Sequence, residues 1–332
     1  MVDASAVGGL GVEIGFTDFV QSNLDIEMAT AAHFGLRTRI AAAQCRTEAD
    51  VVKFGRGLQA LVVQEAPLTR TVLRALPELR CVSFAQVGTN SIDLEAASEL
   101  GIWVANVPDA NVTEVAAHAA AMTLALVRHL PRFDVTVRAG SWNYSATGEL
   151  IRPSRLVVGL VGLGRIGRHY AAMMRPIVGN VRAYDPCVST DRWPVEIQKA
   201  KHLEDLLAAA DVVSLHLPLT QHTRGLMNAK RFAQMKKGAI LINVSRGALV
   251  EIPALLLALD SGHLDSAGLD VLPVEPPDPQ EAILQHPNVL MSPHAAFYSV
   301  DSDVETRTRA VASLAAFGAT GRPLDVVIEG RR

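Results

Sequence analysis

One stretch decides the fold of this chain: Leu156-Val-Val-Gly-Leu-Val161, followed directly by Gly162-Leu-Gly-Arg-Ile-Gly167. The first six residues are apolar enough for a buried strand, and helix-compatible residues continue from His169 to Met174. Glycines at this spacing are a weak signal alone, but a preceding strand and a following helix are the context that a dinucleotide-binding turn requires. The sequence therefore predicts a strand, a phosphate-binding turn and a helix.

The residues of this turn have different predicted roles. We expect Gly162 to form the tight turn, Gly164 to let the backbone approach a pyrophosphate, and Gly167 to let helix and strand pack closely. Arg165 and Ile166 begin the helix, whose N-terminal N–H groups would bind the phosphates.

An acidic residue follows the turn at the distance that nucleotide binding needs. Asp185 lies 18 residues after Gly167, at the end of the next predicted strand, Val181–Tyr184. A carboxylate there accepts hydrogen bonds from ribose hydroxyls and repels a 2′-phosphate, so we expect NAD(H) to be preferred over NADP(H). Arg182 and Arg192 flank Asp185 and leave the use of both cofactors open.

Length and composition limit the class of protein. The 332 residues predict two domains, and the formal net charge of −3 comes without a basic block, so no nucleic-acid partner is expected. Three widely spaced cysteines, Cys45, Cys81 and Cys187, match neither a disulfide framework nor a metal site. No run of 18 apolar residues and no signal-peptide pattern at the N-terminus occur, so we expect a cytoplasmic protein without membrane contact or metal.

Strand-like runs alternate with helical patterns along both halves of the chain, which predicts an α/β fold of two Rossmann-like, doubly wound parallel-sheet domains. An Ala-rich helix, Thr113–His129, should connect them and end before Pro131. Because a further helix, Ser299–Phe317, leaves a tail too short for a domain, we expect the tail to return to the first domain. The predicted domains are 1–106 with 299–332, a flavodoxin-like substrate domain, and 107–298, an NAD-binding domain.

Three motifs follow strands of the second predicted sheet, where open α/β folds bind ligands. They are Asn243-Val-Ser-Arg246, Gly268-Leu-Asp270-Val-Leu-Pro-Val-Glu275-Pro, and Ser292-Pro-His294-Ala-Ala-Phe297. Reduction of a carbonyl needs a proton donor, which a His–carboxylate pair supplies, and an anionic substrate needs a cation such as Arg. Taken singly, Arg246 could form an ordinary ion pair, Glu275 could be a solvated loop acid, and Asp270 could cap a turn.

Together these motifs resemble the D-isomer-specific 2-hydroxyacid dehydrogenase family. The resemblance runs from about Leu79 to about Ser299 and includes the glycine turn, an Arg after Asn-x-x, a Glu before Pro, and a Pro-His, in that order. It implies an NAD-dependent oxidoreductase that interconverts a D-2-hydroxy acid and its 2-oxo acid.

The family resemblance also implies a role for each motif residue. His294 would be the acid in reduction and the base in oxidation, Glu275 would orient its imidazole and raise its pKa, and Arg246 would hold the substrate carboxylate. Asp270 resembles the residue that holds the nicotinamide carboxamide, and both Arg246 and His294 would also contact the cofactor. Four further positions match cofactor-lining ones: Pro218, Thr223, Val244 and Ser245.

Substrate contacts are expected on two segments. The loop Val87–Asp93 is similar to the family loop whose amides receive the substrate carboxylate, and we expect Gln86, Val87 and Gly88 to contact the substrate. This loop departs from the family pattern, since Gln86 replaces a customary Gly and Asn90 a customary Asp. Ala117 likewise stands where the family often has Glu.

The segment His294–Ser299 resembles most the subgroup that includes the C-terminal-binding-protein corepressors. In that subgroup an aromatic residue at the position of Phe297 faces the substrate, which favours an apolar substrate side chain, although Phe297 could equally be a packing residue. The alternative function is therefore an NADH-sensing regulatory protein of the same fold. Two other dehydrogenases of similar layout fit less well. Formate dehydrogenases carry Gln in place of Glu275, and phosphite dehydrogenases carry a Lys in the loop at Gln86-Val-Gly. The Ala-rich helix and the family resemblance also suggest a homodimer.

Overall fold

The computed structural model describes residues 13–19 and 23–331. The first elements are β1 Glu13–Phe16, α1 Asp25–His33, β2 Arg37–Ile40, α2 Glu48–Gly55, β3 Ala60–Val63, α3 Arg70–Ala75, β4 Cys81–Phe84, α4 Leu94–Leu100 and β5 Trp103–Ala105. Next come α5 Val112–Val127, α6 Leu130–Arg138, β6 Val157–Val161, α7 Arg165–Met174, β7 Asn180–Tyr184, β8 Gln198–Lys199, α8 Leu203–Ala209 and β9 Val212–Leu215. The last are α9 Ala229–Gln234, β10 Ala239–Asn243, α10 Ile252–Asp260, β11 Leu264–Leu269, α11 Ala282–Gln285, β12 Val289–Met291, α12 Val300–Thr320 and β13 Val326–Ile328.

These elements form two compact units. The described residues of Met1–Asn111 and Ser299–Arg332 make unit 1, and Val112–Tyr298 make unit 2. The sheet of unit 1 has the strand order β13-β5-β4-β3-β1-β2, and that of unit 2 has the order β12-β11-β10-β9-β6-β7-β8. All pairs are parallel except β13 with β5. The expectation of two Rossmann-like, doubly wound α/β units, the first discontinuous, is confirmed.

The central strands of both sheets are apolar on both faces. Every residue of β3, β4, β9 and β10 is buried. A strand with no wet face needs a helical layer on each side, and two apolar cores accordingly lie in each unit.

Three elements depart from the sequence predictions. The edge strand β13 is antiparallel rather than parallel, and β8 is two residues long, too short for any periodic pattern. The helix predicted for Thr113–His129 ends at Val127, and α6 begins three residues later with Pro131 in its first turn. Pro131 therefore starts a helix instead of following the end of one, because the first helical turn has no use for the missing N–H.

The order of unit 2 places its loops for ligand binding. Strand β6 lies between β9 and β7, so the winding direction of the chain reverses there. Such a switch point leaves a crevice at the carboxyl ends of the strands. The glycine turn follows β6, and the loops that carry Arg246 and His294 follow β10 and β12, so all three lie at this carboxyl edge.

Candidate active site

His294 and Glu275 form a direct pair at the carboxyl edge of unit 2. Nδ1 of His294 lies 2.6 Å from Oε2 of Glu275, and the other oxygen, Oε1, accepts a hydrogen bond from the backbone N–H of Leu272 at 2.8 Å. The imidazole keeps 42% of its side-chain surface exposed. It is thus fixed at one nitrogen and reachable from solvent.

Pairing with Glu275 favours the charged form of His294. The hydrogen bond that His294 donates to Glu275 is the largest cause of a raised pKa of His294, which results despite the opposing effects of burial and of the Arg246 charge. Burial alone would raise the pKa of Glu275, but the hydrogen bonds from His294 and Leu272 outweigh it and the pKa is lowered. The geometry therefore suits a proton donor, since the carboxylate positions the imidazole and raises its pKa.

Asp270 fixes the loop that carries His294. Its carboxylate is almost completely buried and accepts hydrogen bonds from the backbone N–H groups of Ala295 at 2.8 Å and Ala296 at 3.0 Å, and from the hydroxyl of Ser292. The backbone N–H of His294 donates to the carbonyl of Asp270 at 2.8 Å. His294 itself has a φ of 51°, a left-handed conformation that a non-glycine residue holds only when its surroundings enforce it.

His118 on α5 extends this network. Its Nε2 lies 2.8 Å from the Ser292 hydroxyl oxygen and 3.8 Å from a carboxylate oxygen of Asp270. Because the Ser292 hydroxyl already donates to Asp270, the contact requires His118 to donate through Nε2. A residue of helix α5, 174 positions from Ser292, thus supports the His294 loop.

Arg246 stands on a turn that Asn243 closes. The buried Asn243 side chain donates to the carbonyl of Arg246 at 3.0 Å and accepts from the N–H of Ser245 at 3.1 Å. The Arg246 guanidinium donates to the Ser245 carbonyl at 2.7 Å, and its charge acts on the pKa of both His294 and Glu275. The arginine is therefore near the pair, on a turn that the amide of Asn243 holds.

Gly247 brings the Arg246 turn against the next loop. A Cβ atom at this position would lie 1.9 Å from the carbonyl carbon of Leu272 and 2.4 Å from the nitrogen of Pro273. Only glycine allows this backbone contact. Since Glu275 follows three residues after Leu272, the contact sets the distance between the arginine and the acid–base pair.

The glycine turn has the features of a cofactor cradle. Gly162 has a φ of +98°, and a Cβ there would lie 2.3 Å from the carbonyl oxygen of His216, while a Cβ on Gly167 would lie 2.5 Å from that of Gly162. Gly164 is different, because nothing lies within 4 Å of the position of its absent Cβ. Packing within the fold therefore does not require glycine at this position. A pyrophosphate that approaches the backbone does require it. The residues present thus fit a dinucleotide.

Asp185 lies next to this cradle. Its carboxylate accepts hydrogen bonds from the N–H of Leu163, within the glycine turn, at 2.7 Å and from the N–H of Cys187 at 2.8 Å. The acid predicted to bind the ribose is thus held beside the turn by backbone donors. Arg165 and Ile166 form the first turn of α7, as the sequence predicts.

The other predicted cofactor positions lie on neighbouring loops of the same edge. Thr223 donates to the carbonyl of Pro218 at 2.7 Å and so closes the loop after β9. The Ser245 hydroxyl donates to the carbonyl of Leu215 at 2.7 Å, which ties the loop after β10 to β9. Val244 is buried at the end of β10. Their contacts with a cofactor stay a prediction.

Phe297 lies beside the proposed acid. Its ring centroid is 6.2 Å from that of His294, in an edge-to-face arrangement, and 38% of the residue is exposed. A residue that served only to fill the core would be buried, so its position leaves it accessible to a ligand. Its role as a substrate contact stays a prediction.

The predicted substrate loop lies in unit 1. The Gln86 side chain donates to the carbonyl of Gln64 at 2.7 Å and to that of Gly88 at 3.1 Å, and Asn106 donates to the carbonyl of Val87 at 2.6 Å. Within the described part of the chain, the N–H groups of Val87 and Gly88 have no acceptor. The side chains of Gln86 and Asn106 thus hold the loop, while the N–H groups of Val87 and Gly88 stay available to bind an anion.

Sequence reasoning missed the supporting roles of four residues that shape the site of unit 2: Asn243, Gly247, His118 and Ser292. The first two stand in the Asn-Val-Ser-Arg-Gly motif, where a buried amide at a strand end and a glycine after the arginine were usable signals. His118 and Ser292 are 174 positions apart, and no local pattern joins them.

Comparison with known proteins identifies the family of the chain. The model for the family described as D-isomer specific 2-hydroxyacid dehydrogenase, NAD binding domain, matches residues 120–296. The chain belongs to the D-isomer specific 2-hydroxyacid dehydrogenase family. The family match supports an NAD-binding oxidoreductase, while it does not single out the corepressor-like subgroup.

Curated relatives of this chain include two bacterial D-3-phosphoglycerate dehydrogenases. That of Bacillus subtilis is 37% identical over 237 residues, 71% of this chain and 45% of that protein. That of Haemophilus influenzae is 39% identical over 233 residues, 68% of this chain and 56% of that protein. The matched region thus spans about half the length of these relatives.

Solved structures cover more of the chain. The TT0316 protein of Thermus thermophilus has a TM-score of 0.84 at 31% identity and covers 96% of this chain and 100% of its own. The pyruvate reductase of Chlamydomonas reinhardtii has a TM-score of 0.77 at 29% identity, with 96% and 99% covered. Among the described residues, no helix is both long and apolar enough to cross a bilayer.

Proposed function

We propose that this dehydrogenase interconverts a D-2-hydroxy acid and its 2-oxo acid with NAD(H). One observation carries the proposal: the 2.6 Å pair of His294 and Glu275, next to Arg246 and on the same sheet edge as the glycine turn. The pair supplies a proton, the arginine a cation for a carboxylate, and the turn a place for a dinucleotide.

In the proposed reduction, the hydride and the proton that reach the substrate each have a named donor. NADH held at the glycine turn would supply the hydride for C2 of the 2-oxo acid. The imidazolium of His294 gives its Nε2 proton to the carbonyl oxygen and keeps its Nδ1 proton on the hydrogen bond to Glu275, so a neutral imidazole and a 2-hydroxy acid result. Oxidation reverses the transfer, and Nε2 then accepts the hydroxyl proton.

Arg246 would bind the substrate carboxylate and the 2-oxo oxygen. A guanidinium forms two parallel hydrogen bonds with a carboxylate, so it also sets the orientation of C2. Gln86, Val87 and Gly88 of unit 1 are proposed substrate contacts as well, which makes 1–106 with 299–332 the substrate domain and 107–298 the NAD domain. Phe297 would favour an apolar substrate side chain.

Asp185 supports the preference for NAD(H) over NADP(H), since its carboxylate would repel a 2′-phosphate. The ratio of kcat/KM with NADH to that with NADPH measures this preference. Asp185→Ser should lower the ratio by at least tenfold, roughly the effect of removing one charged hydrogen-bond partner. An unchanged ratio would remove Asp185 from this role.

A homodimer is the proposed assembly, and the cytoplasm the proposed location. Helix α6 has no buried residue, and the segment after it carries Trp142 and Tyr144, each 91% exposed. Large apolar side chains at that exposure are typical of a covered surface. Light scattering should show twice the chain mass, unchanged by NADH. An NADH-dependent mass without turnover would instead favour the regulatory alternative.

The deciding experiment is turnover of a panel of 2-oxo acids, followed by the loss of NADH absorbance. Glyoxylate, pyruvate, hydroxypyruvate and bulkier aliphatic and aromatic 2-oxo acids should include at least one substrate. His294→Gln should lower kcat by about 10²–10⁴-fold with NADH binding retained. His33→Gln, an exposed histidine of unit 1, is the control and should act as the unaltered protein does. No turnover with any member of the panel would refute the function.

A further inference from the structure

Gln86 holds the loop that is proposed to receive the substrate carboxylate. Its side-chain amide donates to the carbonyl of Gly88 at 3.1 Å, within the same loop, and to the carbonyl of Gln64 at 2.7 Å, at the end of the neighbouring strand β3. A side-chain amide nitrogen has two N–H groups, so both donors of Gln86 are used. The side chain therefore fixes the peptide that follows Gly88 and ties the loop to the next strand.

The carbonyls of Gln86 and Val87 set the direction of the N–H groups that follow them. The Gln86 carbonyl accepts from the N–H of Val107 at 3.1 Å, and the Val87 carbonyl accepts from the side chain of Asn106 at 2.6 Å. In a trans peptide the carbonyl and the next N–H point in opposite directions, and neither of these peptides is cis. The N–H groups of Val87 and Gly88 thus both point away from the same two residues of the chain.

The segment that holds Gln86 is itself held by Asp18. The carboxylate of Asp18, a residue only 4% exposed, accepts hydrogen bonds from three successive backbone N–H groups after β3. They belong to Gln64 at 3.1 Å, Glu65 at 2.6 Å and Ala66 at 3.0 Å. Hydrogen bonds to a carboxylate are about twice as strong as those between neutral groups, so this carboxylate fixes the end of β3.

These contacts join four neighbouring strand ends. Asp18 follows β1, Gln64 follows β3, Gln86 follows β4 and Asn106 follows β5, and the order in the sheet is β5-β4-β3-β1. The hydrogen bonds lead without a break from the buried carboxylate of Asp18 to the carbonyl of Gly88. A loop that is held in this way is ordered before an anion binds, which lowers the entropy cost of binding.

We propose, resting on the dehydrogenase function above, that Gln86 and Asp18 are positioning residues for the substrate carboxylate. Gln86, a proposed substrate contact as well, orients the N–H groups of Val87 and Gly88 through the loop. Asp18 acts one step further away, because it fixes the segment whose carbonyl accepts from Gln86. The direction of the backbone donors that bind the acid thus depends on two side chains.

Gln86→Met keeps a side chain of similar length and removes both donors. With NADH and a 2-oxo acid, KM for the acid should rise by about tenfold or more while kcat stays within about threefold, because the carboxylate is bound equally in the ground state and the transition state. KM for NADH should not change, since the glycine turn lies in unit 2.

Gln59→Met is the matched control. It makes the same exchange at an exposed residue directly before β3, at the opposite edge of the sheet, and should leave both KM values unchanged. An unchanged KM for the acid in Gln86→Met, or an equal rise in KM for NADH, would overturn the proposal.

Asp18→Asn tests the more distant support. An amide has one acceptor oxygen and turns two N–H groups toward the same backbone donors, so KM for the acid should rise here too. In the double variant with Gln86→Met, the rise should be smaller than the product of the two single rises, because both changes release the same loop. A full product would overturn the role of Asp18. Thr17→Val, which removes the hydroxyl that donates to Asp18 at 2.7 Å, takes its place if Asp18→Asn does not fold.

Hydrogen exchange separates this proposal from the proposed function. Because the N–H of Val107 donates to the Gln86 carbonyl, Gln86→Met should speed the exchange of this N–H by about tenfold or more, whereas Gln59→Met should not. Absence of turnover with every 2-oxo acid would refute the function alone. Exchange of the Val107 N–H in Gln86→Met at the rate of the unaltered protein would overturn the positioning role, with or without turnover.

Discussion

A methyl group at Gly247 would separate the two loops that bring Arg246 to the acid–base pair. The Cβ atom of an alanine there would lie 1.9 Å from the carbonyl carbon of Leu272, where an ordinary contact begins at 3.4 Å. The loops must therefore part by about 1.5 Å, the difference between these two distances. Since a misplacement of about 1 Å costs on the order of 10²-fold in rate, we expect Gly247→Ala to lower kcat/KM for a 2-oxo acid by about a hundredfold or more.

The assay is steady-state NADH oxidation, with the thermal midpoint of each variant measured in parallel. Gly262→Ala is the control, because Gly262 lies in the loop before β11, at the opposite edge of the sheet, with a φ of +67° and nothing within 4 Å of its Cβ position. It should cost about 1–2 kcal/mol of stability through its left-handed backbone and leave kcat/KM unchanged. A Gly247→Ala variant with kcat/KM within threefold of the unaltered protein, on the order of 0.6 kcal/mol, would refute the idea that this contact sets the position of Arg246.

Three further predictions concern the acid–base pair, the buried ions and the thiols. Glu275→Gln removes the charge that raises the pKa of His294, so reduction, which needs the imidazolium, should be lost at lower pH than in the unaltered protein; coincident pH–rate profiles would contradict this. Arg307→Met leaves Glu27 buried without its partner and should lower the free energy of unfolding in urea by about 3–5 kcal/mol, against about 1 kcal/mol or less for the exposed Arg322→Met. Cys187 is exposed, whereas burial raises the pKa of Cys45 to about 11 and that of Cys81 well above its usual value; iodoacetamide should thus modify Cys187 first, and NAD should slow the reaction because Cys187 adjoins Asp185. Mass spectrometry that shows equal labelling of all three thiols would contradict the preference for Cys187, and no effect of NAD would contradict its predicted protection.

Local sequence was sufficient for much of the fold. The apolar strands of both sheets are recognisable because their residues are buried on both faces and leave no polar alternation to misread. The capping-box start at Thr47 is also local, since its partner Asp50 lies three residues away. The elements that escaped prediction, β8 and β13, are short and lie at or near sheet edges, so their pairing depends on neighbours distant in the chain.

The residues of the candidate site also divide into those that local sequence predicts and those that depend on segments distant in the chain. The motifs around Arg246, Glu275 and His294 follow consecutive strands, and parallel topology places strand ends together, so their common edge follows from sequence order. The supports of the site are different. The contact of Gly247 with Leu272 joins two loops, and the network of His118, Ser292 and Asp270 joins a helix to two strand ends. No periodicity reports such contacts.

Two histidines, His216 and His294, show which properties the sequence by itself determined and which the tertiary structure decided. Both His216 and His294 follow a strand of unit 2, and each comes after an apolar run in the sequence. Burial lowers the pKa of His216 to about 3, whereas the hydrogen bond that His294 donates to Glu275 raises the pKa of His294. The residue type and its place along the chain are local properties, but charge depends on the solvent and partners around the ring, which only the packing of distant segments supplies.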